Sequence, residues 1–288
     1  MTTTVRQLSV NDVDLDYVDQ GAGNTILFVH GYISDHRVWD AQQQTIPAGY
    51  RYIAPSQRYF GTRPWQDEGD RFSFATHVDD LAAFVHRLDV APVHVVGWSY
   101  GAALALALAV RHPDCVRSLF AYEPGSVTFV TDPDDIRILA DDRADMVTPA
   151  VAAQGRGDLR DALRQVFDHA NGRTGLFDTL APATRSAFLD NARTIPLLFR
   201  SPPPLPITDI ELGQIRVPVA IARGELTRTF YRVVAQTAGR LIPDARLVVL
   251  RDGMHAAPVL TPERFNEAFL AFHRDIDAWP TSPVRAPA

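Results

Sequence analysis

The chain has 288 residues, of which 46% are apolar, with 28 basic side chains (all arginine), 34 acidic ones and a net charge of −6. That balance is ordinary for a globular protein long enough to bury one large core. The mild acidity, without a basic stripe, argues against nucleic acid. A single cysteine, Cys115, excludes an intramolecular disulfide and a thiolate metal cluster, and no apolar run reaches the length of a membrane span.

Near the N-terminus, residues 5–10 and 13–18 alternate with period two around Asn11-Asp12, which predicts an antiparallel hairpin. Residues 26–29 are continuously apolar, as a strand buried on both faces requires, and residues 51–54 give another short strand. From Ser73 to Leu88 the residues Phe74, Val78, Leu81, Phe84, Val85 and Leu88 recur at helical spacing, with Ser73 or Thr76 as cap. Residues 93–96 form a strand, and residues 102–110 an Ala- and Leu-rich helix. Further strands fall at 116–122, 217–222 and 246–250, with helices near 231–239 and 262–276, the last entered through Thr261 and Pro262. Cys115, at the head of its strand, is expected to be a small buried apolar residue. Strands alternating with helices predict an α/β protein whose mainly parallel sheet is covered on both faces.

Between residues 125 and 207 that rhythm breaks. Charged helical segments at 158–170 and 183–193, glycine breaks at 155–157 and 171–172, and no convincing strand predict a helical cap. It closes with the stiff, proline-rich stretch 201–206. The expected organisation is a core of residues 1–124 and 208–280, a cap of 125–207, and a disordered Pro- and Ala-rich tail at 281–288. Residues 1–6 show no basic segment leading into an apolar one, so a cytoplasmic protein free of membranes is expected.

The most informative stretch is Gly97-Trp98-Ser99-Tyr100-Gly101, which lies between a predicted strand and a predicted helix. A tight strand-to-helix turn lifts a serine hydroxyl above the sheet edge, and the helix N-terminus offers backbone N–H groups to a developing oxyanion. Serine needs a general base, and the base needs an orienting acid. His255 lies just past the last strand, on the sheet edge shared with Ser99, while the other histidines fall on helices, inside a strand or in another motif. For the acid, Glu123 ends the strand after the Ser99 helix, and Glu225 follows the next strand.

Four marks in order, Val29-His30-Gly31-Tyr32, Gly97 to Gly101, Gly224-Glu225 and Gly253-Met254-His255, span nearly the whole chain. In these it resembles the α/β-hydrolase superfamily with a helical cap. The resemblance implies a mainly parallel eight-stranded sheet, and an oxyanion hole made by the backbone N–H groups of Tyr32 and Tyr100. Many members carry an aspartate three residues after the glycine of the Gly-Glu motif, where this chain has Thr227. Some place the acid at the strand end that Glu123 occupies, and the local pattern here is similar to the zearalenone lactone hydrolases. Glu123 is therefore the first candidate for the acid and Glu225 the alternative.

A serine at the nucleophile position argues against haloalkane dehalogenase or epoxide hydrolase chemistry, which forms its ester on a carboxylate. The expected activity is that of a serine hydrolase. It would cleave an ester or lactone of a small, moderately hydrophobic molecule through an acyl-enzyme. Alternatives are a C–C bond hydrolase, lyase or cofactor-free dioxygenase on the same site, or a non-catalytic ligand receptor. Gly31, Tyr32 and Trp98 are expected to contact substrate. Phe129, Met146, Phe167, Phe177, Leu197, Leu198 and Phe199 of the cap could shape the acyl pocket. Arg58, in the loop 56–61, is expected to pair with an acid. No cofactor is expected, and no metal, since no His/Asp cluster has ligand spacing. The expected partner is a small-molecule substrate, bound by a monomer or homodimer.

Overall fold

The computed structural model describes residues 4–200 and 207–278. The proline-rich stretch 201–206 and the tail 281–288 therefore lie outside the described residues. Eight strands form one sheet: β1 (Val5–Val10), β2 (Val13–Gly21), β3 (Asn24–Val29), β4 (Tyr50–Pro55), β5 (Val93–Trp98), β6 (Val116–Tyr122), β7 (Val219–Gly224) and β8 (Arg246–Leu250). Their order is β1-β2-β4-β3-β5-β6-β7-β8. β2 runs antiparallel to both its neighbours, and every other pairing is parallel. The predicted hairpin is present, with Asn11 in the left-handed region at φ 49°.

Among the described residues eleven α-helices accompany this sheet: α1 (Asp40–Gln43), α2 (Phe74–Arg87), α3 (Tyr100–Arg111), α4 (Pro133–Gly155), α5 (Leu159–Ala170), α6 (Pro182–Asn191), α7 (Ile195–Arg200), α8 (Asp209–Leu212), α9 (Thr229–Leu241), α10 (Ala257–Leu260) and α11 (Pro262–Ala278). The strand pleat divides the core. Leu27, Val29 and Val95 point to one face, against α2, α3 and α9. Ile26, Phe28 and Val96 point to the other, against Phe265, Phe269 and Phe272 of α11. Both faces are thus covered, which is why the central strands read as unbroken apolar runs. Ser73 caps α2, its hydroxyl accepting from the Thr76 N–H at 3.1 Å.

Between β6 and β7 the described residues hold helices and turns and no strand. The 23-residue α4 has no counterpart among the segments read from sequence. Only Leu139, Ala150 and Ala153 on it are buried, and Pro149 sits inside it, so it lacks the continuous apolar stripe that marks a helix in sequence. β7 begins two residues later than expected, after Pro218, which has no N–H to give the ladder. Cys115 is buried as expected, but in a 3₁₀ turn just ahead of β6.

Candidate active site

Ser99 sits between β5 and α3 with φ 56° and ψ −113°, a conformation that L-residues rarely adopt. Backbone bonds hold it there: its N–H donates to the Tyr122 carbonyl (2.9 Å), and its carbonyl accepts from Ala103 (3.0 Å) and Gly125 (3.1 Å). The flanking glycines are steric necessities. A Cβ on Gly97 would lie 2.6 Å from the Ala102 Cα, and one on Gly101 would collide with the carbonyl oxygens of Val29 and His30. The strand and helix can approach closely only because neither is present.

The loop after β8 brings His255 to this turn. Two aromatic side chains fix the loop by its carbonyls: Trp98 Nε1 donates to His255 O (2.8 Å), and the Tyr122 hydroxyl to Met254 O (2.6 Å). From the α5 terminus, Asn171 Oδ1 accepts from the Ala256 N–H (2.8 Å). Behind the loop Gly224 is indispensable, since a Cβ there would strike the Gly253 carbonyl.

Held this way, His255 Nε2 lies 3.1 Å from Ser99 Oγ, and Nδ1 lies 2.7 Å from Glu123 Oε2. A carboxylate only accepts, so Nδ1 carries the proton and Nε2 is left free to accept from the serine hydroxyl. Glu123 is fully buried, and its other oxygen accepts from the Gly224 N–H at 2.7 Å. Both carboxylate oxygens are therefore satisfied, as a buried charge requires. Glu123 has a left-handed backbone, φ 48°, fixed by its N–H bond to Ala222 O (2.8 Å). Two non-glycine residues in strained backbone at one site mark the place where the fold holds side chains against local preference.

Glu225, the alternative acid, does not reach this cluster. It is exposed, and its carboxylate accepts from the Asp252 N–H at 3.0 Å. Its backbone N–H donates to the Leu250 carbonyl (2.9 Å). Thr227 Oγ1 lies buried without a hydrogen-bond partner among the described residues.

Gly31 places the loop after β3 against the serine: a Cβ on it would stand 3.4 Å from the Ser99 Cβ. Tyr32 follows directly. The Tyr100 N–H is the first of α3, where no intrahelical carbonyl is available to it. His30 braces this loop from within. Its Nδ1 bonds the Gly31 carbonyl (2.8 Å), its Nε2 accepts from the Gln57 N–H (3.0 Å), and burial lowers its pKa to about 4. Arg58 pairs as expected, being almost fully buried and bonded to Asp80 (2.7 Å) and Asp12 (2.7 Å).

Gly31, Tyr32 and Trp98 all line a cavity of about 150 Å³ that opens on Ser99 and His255. Met146, Phe167, Leu198 and Phe199, from the helices between β6 and β7, close its other side. Phe129, Phe177 and Leu197, also considered for this role, are buried in packing instead. Sequence reasoning missed Tyr231. Its ring stacks on the His255 imidazole, with centroids 3.8 Å apart. The only signal available was its position one turn into the helix after β7.

Away from the cavity, His86, Asp114 and Cys115 bring ligand-type atoms within 4.8 Å of one another. This differs from the sequence expectation, because the trio joins α2 to a turn nearly thirty residues away. Burial pushes the Cys115 thiol up to about 11, which disfavours the thiolate a metal would need.

The chain belongs to the alpha/beta hydrolase fold family, whose model matches residues 24–261. It is 31% identical over 125 residues to an epoxide hydrolase of Caballeronia sordidicola, a stretch that is 43% of this chain and only 37% of that protein. It is 26% identical over 264 residues to a 2-(acetamidomethylene)succinate hydrolase of Mesorhizobium japonicum, covering 90% of this chain and 91% of that one. Among solved structures, the carboxylesterase CesB of Bacillus subtilis superposes with a TM-score of 0.71 at 17% identity, over 95% of this chain and 92% of that chain. No helix among the described residues is long and apolar enough to cross a membrane.

Proposed function

We propose that the protein is a serine hydrolase that cleaves an ester or lactone bond of a small, moderately hydrophobic molecule. The observation that carries this reading is the unbroken relay Ser99 Oγ–His255 Nε2 (3.1 Å) and His255 Nδ1–Glu123 Oε2 (2.7 Å) at the floor of an apolar cavity. Ser99 Oγ attacks the carbonyl carbon while its proton passes to His255 Nε2. Glu123 holds the Nδ1–H tautomer and stabilises the imidazolium. The carbonyl oxygen becomes an oxyanion and is received by the N–H groups of Tyr32 and Tyr100. His255 then returns its proton to the leaving alkoxide as the C–O bond breaks. For a lactone, that alkoxide stays attached to the acyl chain. Water attacks the acyl-enzyme and gives a proton to His255, which passes it to Ser99 Oγ as the acyl–oxygen bond breaks, releasing the carboxylic acid and free Ser99.

A carboxylate nucleophile, the basis of epoxide opening, has no counterpart at position 99. The aromatic lining and the modest cavity volume favour a short acyl group. The helices from α4 to α7 act as a lid over the serine, with Asn171 coupling the lid to the His255 loop. The test is turnover of p-nitrophenyl acetate and butyrate with pre-steady-state sampling. A saturable reaction with an initial burst is expected, and no turnover of either ester would overturn the reading.

A further inference from the structure

The cavity over Ser99 is lined mainly by apolar and aromatic side chains, with Ser99, Asn171 and His255 among its polar groups. Among the described residues, Arg143 on α4 is the only formally charged side chain in its lining apart from the titratable His255, and no carboxylate lines it. Arg143 shares a helical stripe with Leu139, Met146 and Ala150, spaced four, three and seven residues from it, and its side chain stands exposed at the cavity rim. Leu139 and Ala150 on that stripe are buried, and Met146 and Val147 line the cavity.

Nearby arginines are spoken for: Arg137 pairs with Asp134, Arg156 with Asp161 and Arg164 with Asp178. Asp142, beside Arg143 in sequence, is committed to Arg228 at 2.8 Å and to the Phe230 N–H at 3.1 Å. Arg143 itself has no hydrogen-bond or ion-pair partner among the described residues. Its charge lowers the pKa of the Tyr32 phenol, against a larger rise from burial, so it acts at the wall beside the Tyr32–Tyr100 ring stack.

We propose that Arg143 is an anion-binding subsite, and that the ester or lactone cleaved at Ser99 carries a carboxylate elsewhere on its acyl chain. This rests on Ser99 being the nucleophile, but the binding half stands apart from turnover. The planar guanidinium offers paired N–H donors that match a carboxylate in a fixed, bidentate geometry.

The test compares short dicarboxylic acids as their monoethyl and diethyl esters, from succinate to adipate, in two arms. In the first, binding to the full-length Ser99→Ala protein is followed by tryptophan fluorescence. In the second, kcat/KM is measured on the wild-type enzyme. In both arms at least one monoester is expected to be preferred over its diester by about tenfold or more, and the preference should shrink near 1 M salt, where the screening length is roughly 3 Å. Arg143→Gln should bring the ratio close to one, mainly through KM, and Arg143→Lys should keep part of it. Equal binding of monoester and diester at every length, or a preference that survives Arg143→Gln, overturns the subsite. Preferential monoester binding lost in Arg143→Gln, with no turnover of any ester, supports the subsite and overturns the serine hydrolase reading instead.

Discussion

The phenol ring of Tyr231 lies flat on the imidazole of His255, with the ring centroids 3.8 Å apart and the planes within 9° of parallel. Tyr231 is buried on α9, burial pushes its pKa up so that it stays neutral, and its hydroxyl lies 3.6 Å from Met146 Sδ. The stack sets the plane in which Nδ1 faces Glu123 and Nε2 faces Ser99. Tyr231→Phe keeps the ring and should change kcat on p-nitrophenyl butyrate by no more than a few-fold. Tyr231→Leu frees the imidazole to tilt, and a misplacement of about 1 Å is worth roughly 10²-fold. Equal losses in the two variants would show that the hydroxyl, not the ring, matters.

Glu123 and Glu225 should separate cleanly. Glu123→Gln can still accept from the Gly224 N–H but loses the charge opposite the imidazolium, so kcat should fall by about 10²–10⁴-fold. Glu225→Gln alters an exposed contact to the Asp252 N–H and should stay within about twofold. The opposite ranking in steady-state assays would return the acid role to Glu225.

The serine turn, the histidine and the sheet were legible because each rests on local chemistry: glycines where a Cβ cannot fit, and period-two or continuous apolar runs in strands. The preference for Glu123 was legible from Thr227 standing where an aspartate is common and from Pro124 ending its strand. Tyr231 was not legible, because its contact with His255 joins α9 to a loop more than twenty residues on, and no short-range pattern encodes that. The 23-residue α4 was missed because it carries many charges and buries only Leu139, Ala150 and Ala153, too few for a continuous apolar stripe. One of those charges, Arg143, becomes informative only when the fold sets it over the cavity.

The two glycine environments predict opposite stability changes. Gly101→Ala sets a methyl against the carbonyls of Val29 and His30 and should destabilise by about 1–3 kcal/mol. Gly155→Ala, at the end of α4 with open space around its Cα, should stabilise by up to about 0.5–1 kcal/mol. Urea midpoints read both, and a shift of the same sign in the two variants would contradict the packing described for the serine turn.

Acid sensitivity follows from two buried histidines. Burial lowers the pKa of His30 to about 4 and of His77 to about 3, from 6.5. Below about pH 6.5 the unfolded chain takes up protons that the folded chain does not, so stability is full above that pH and falls as pH drops. Each histidine contributes a slope of about 1.4 kcal/mol per pH unit down to its folded value. His77→Gln should give a shallower fall in urea midpoint between about pH 7.5 and pH 5. An unchanged slope would show that His77 is not kept neutral by the fold.

The measurement that bears most directly on the active site is covalent labelling with a fluorophosphonate, followed by peptide mass mapping. Ser99 should be the labelled serine, and Ser99→Ala should abolish labelling and lower esterase turnover by about 10⁴-fold or more, because the three residues act as a unit. A label on a different serine, or a Ser99→Ala protein that keeps its activity, would contradict the assignment of Ser99 as nucleophile.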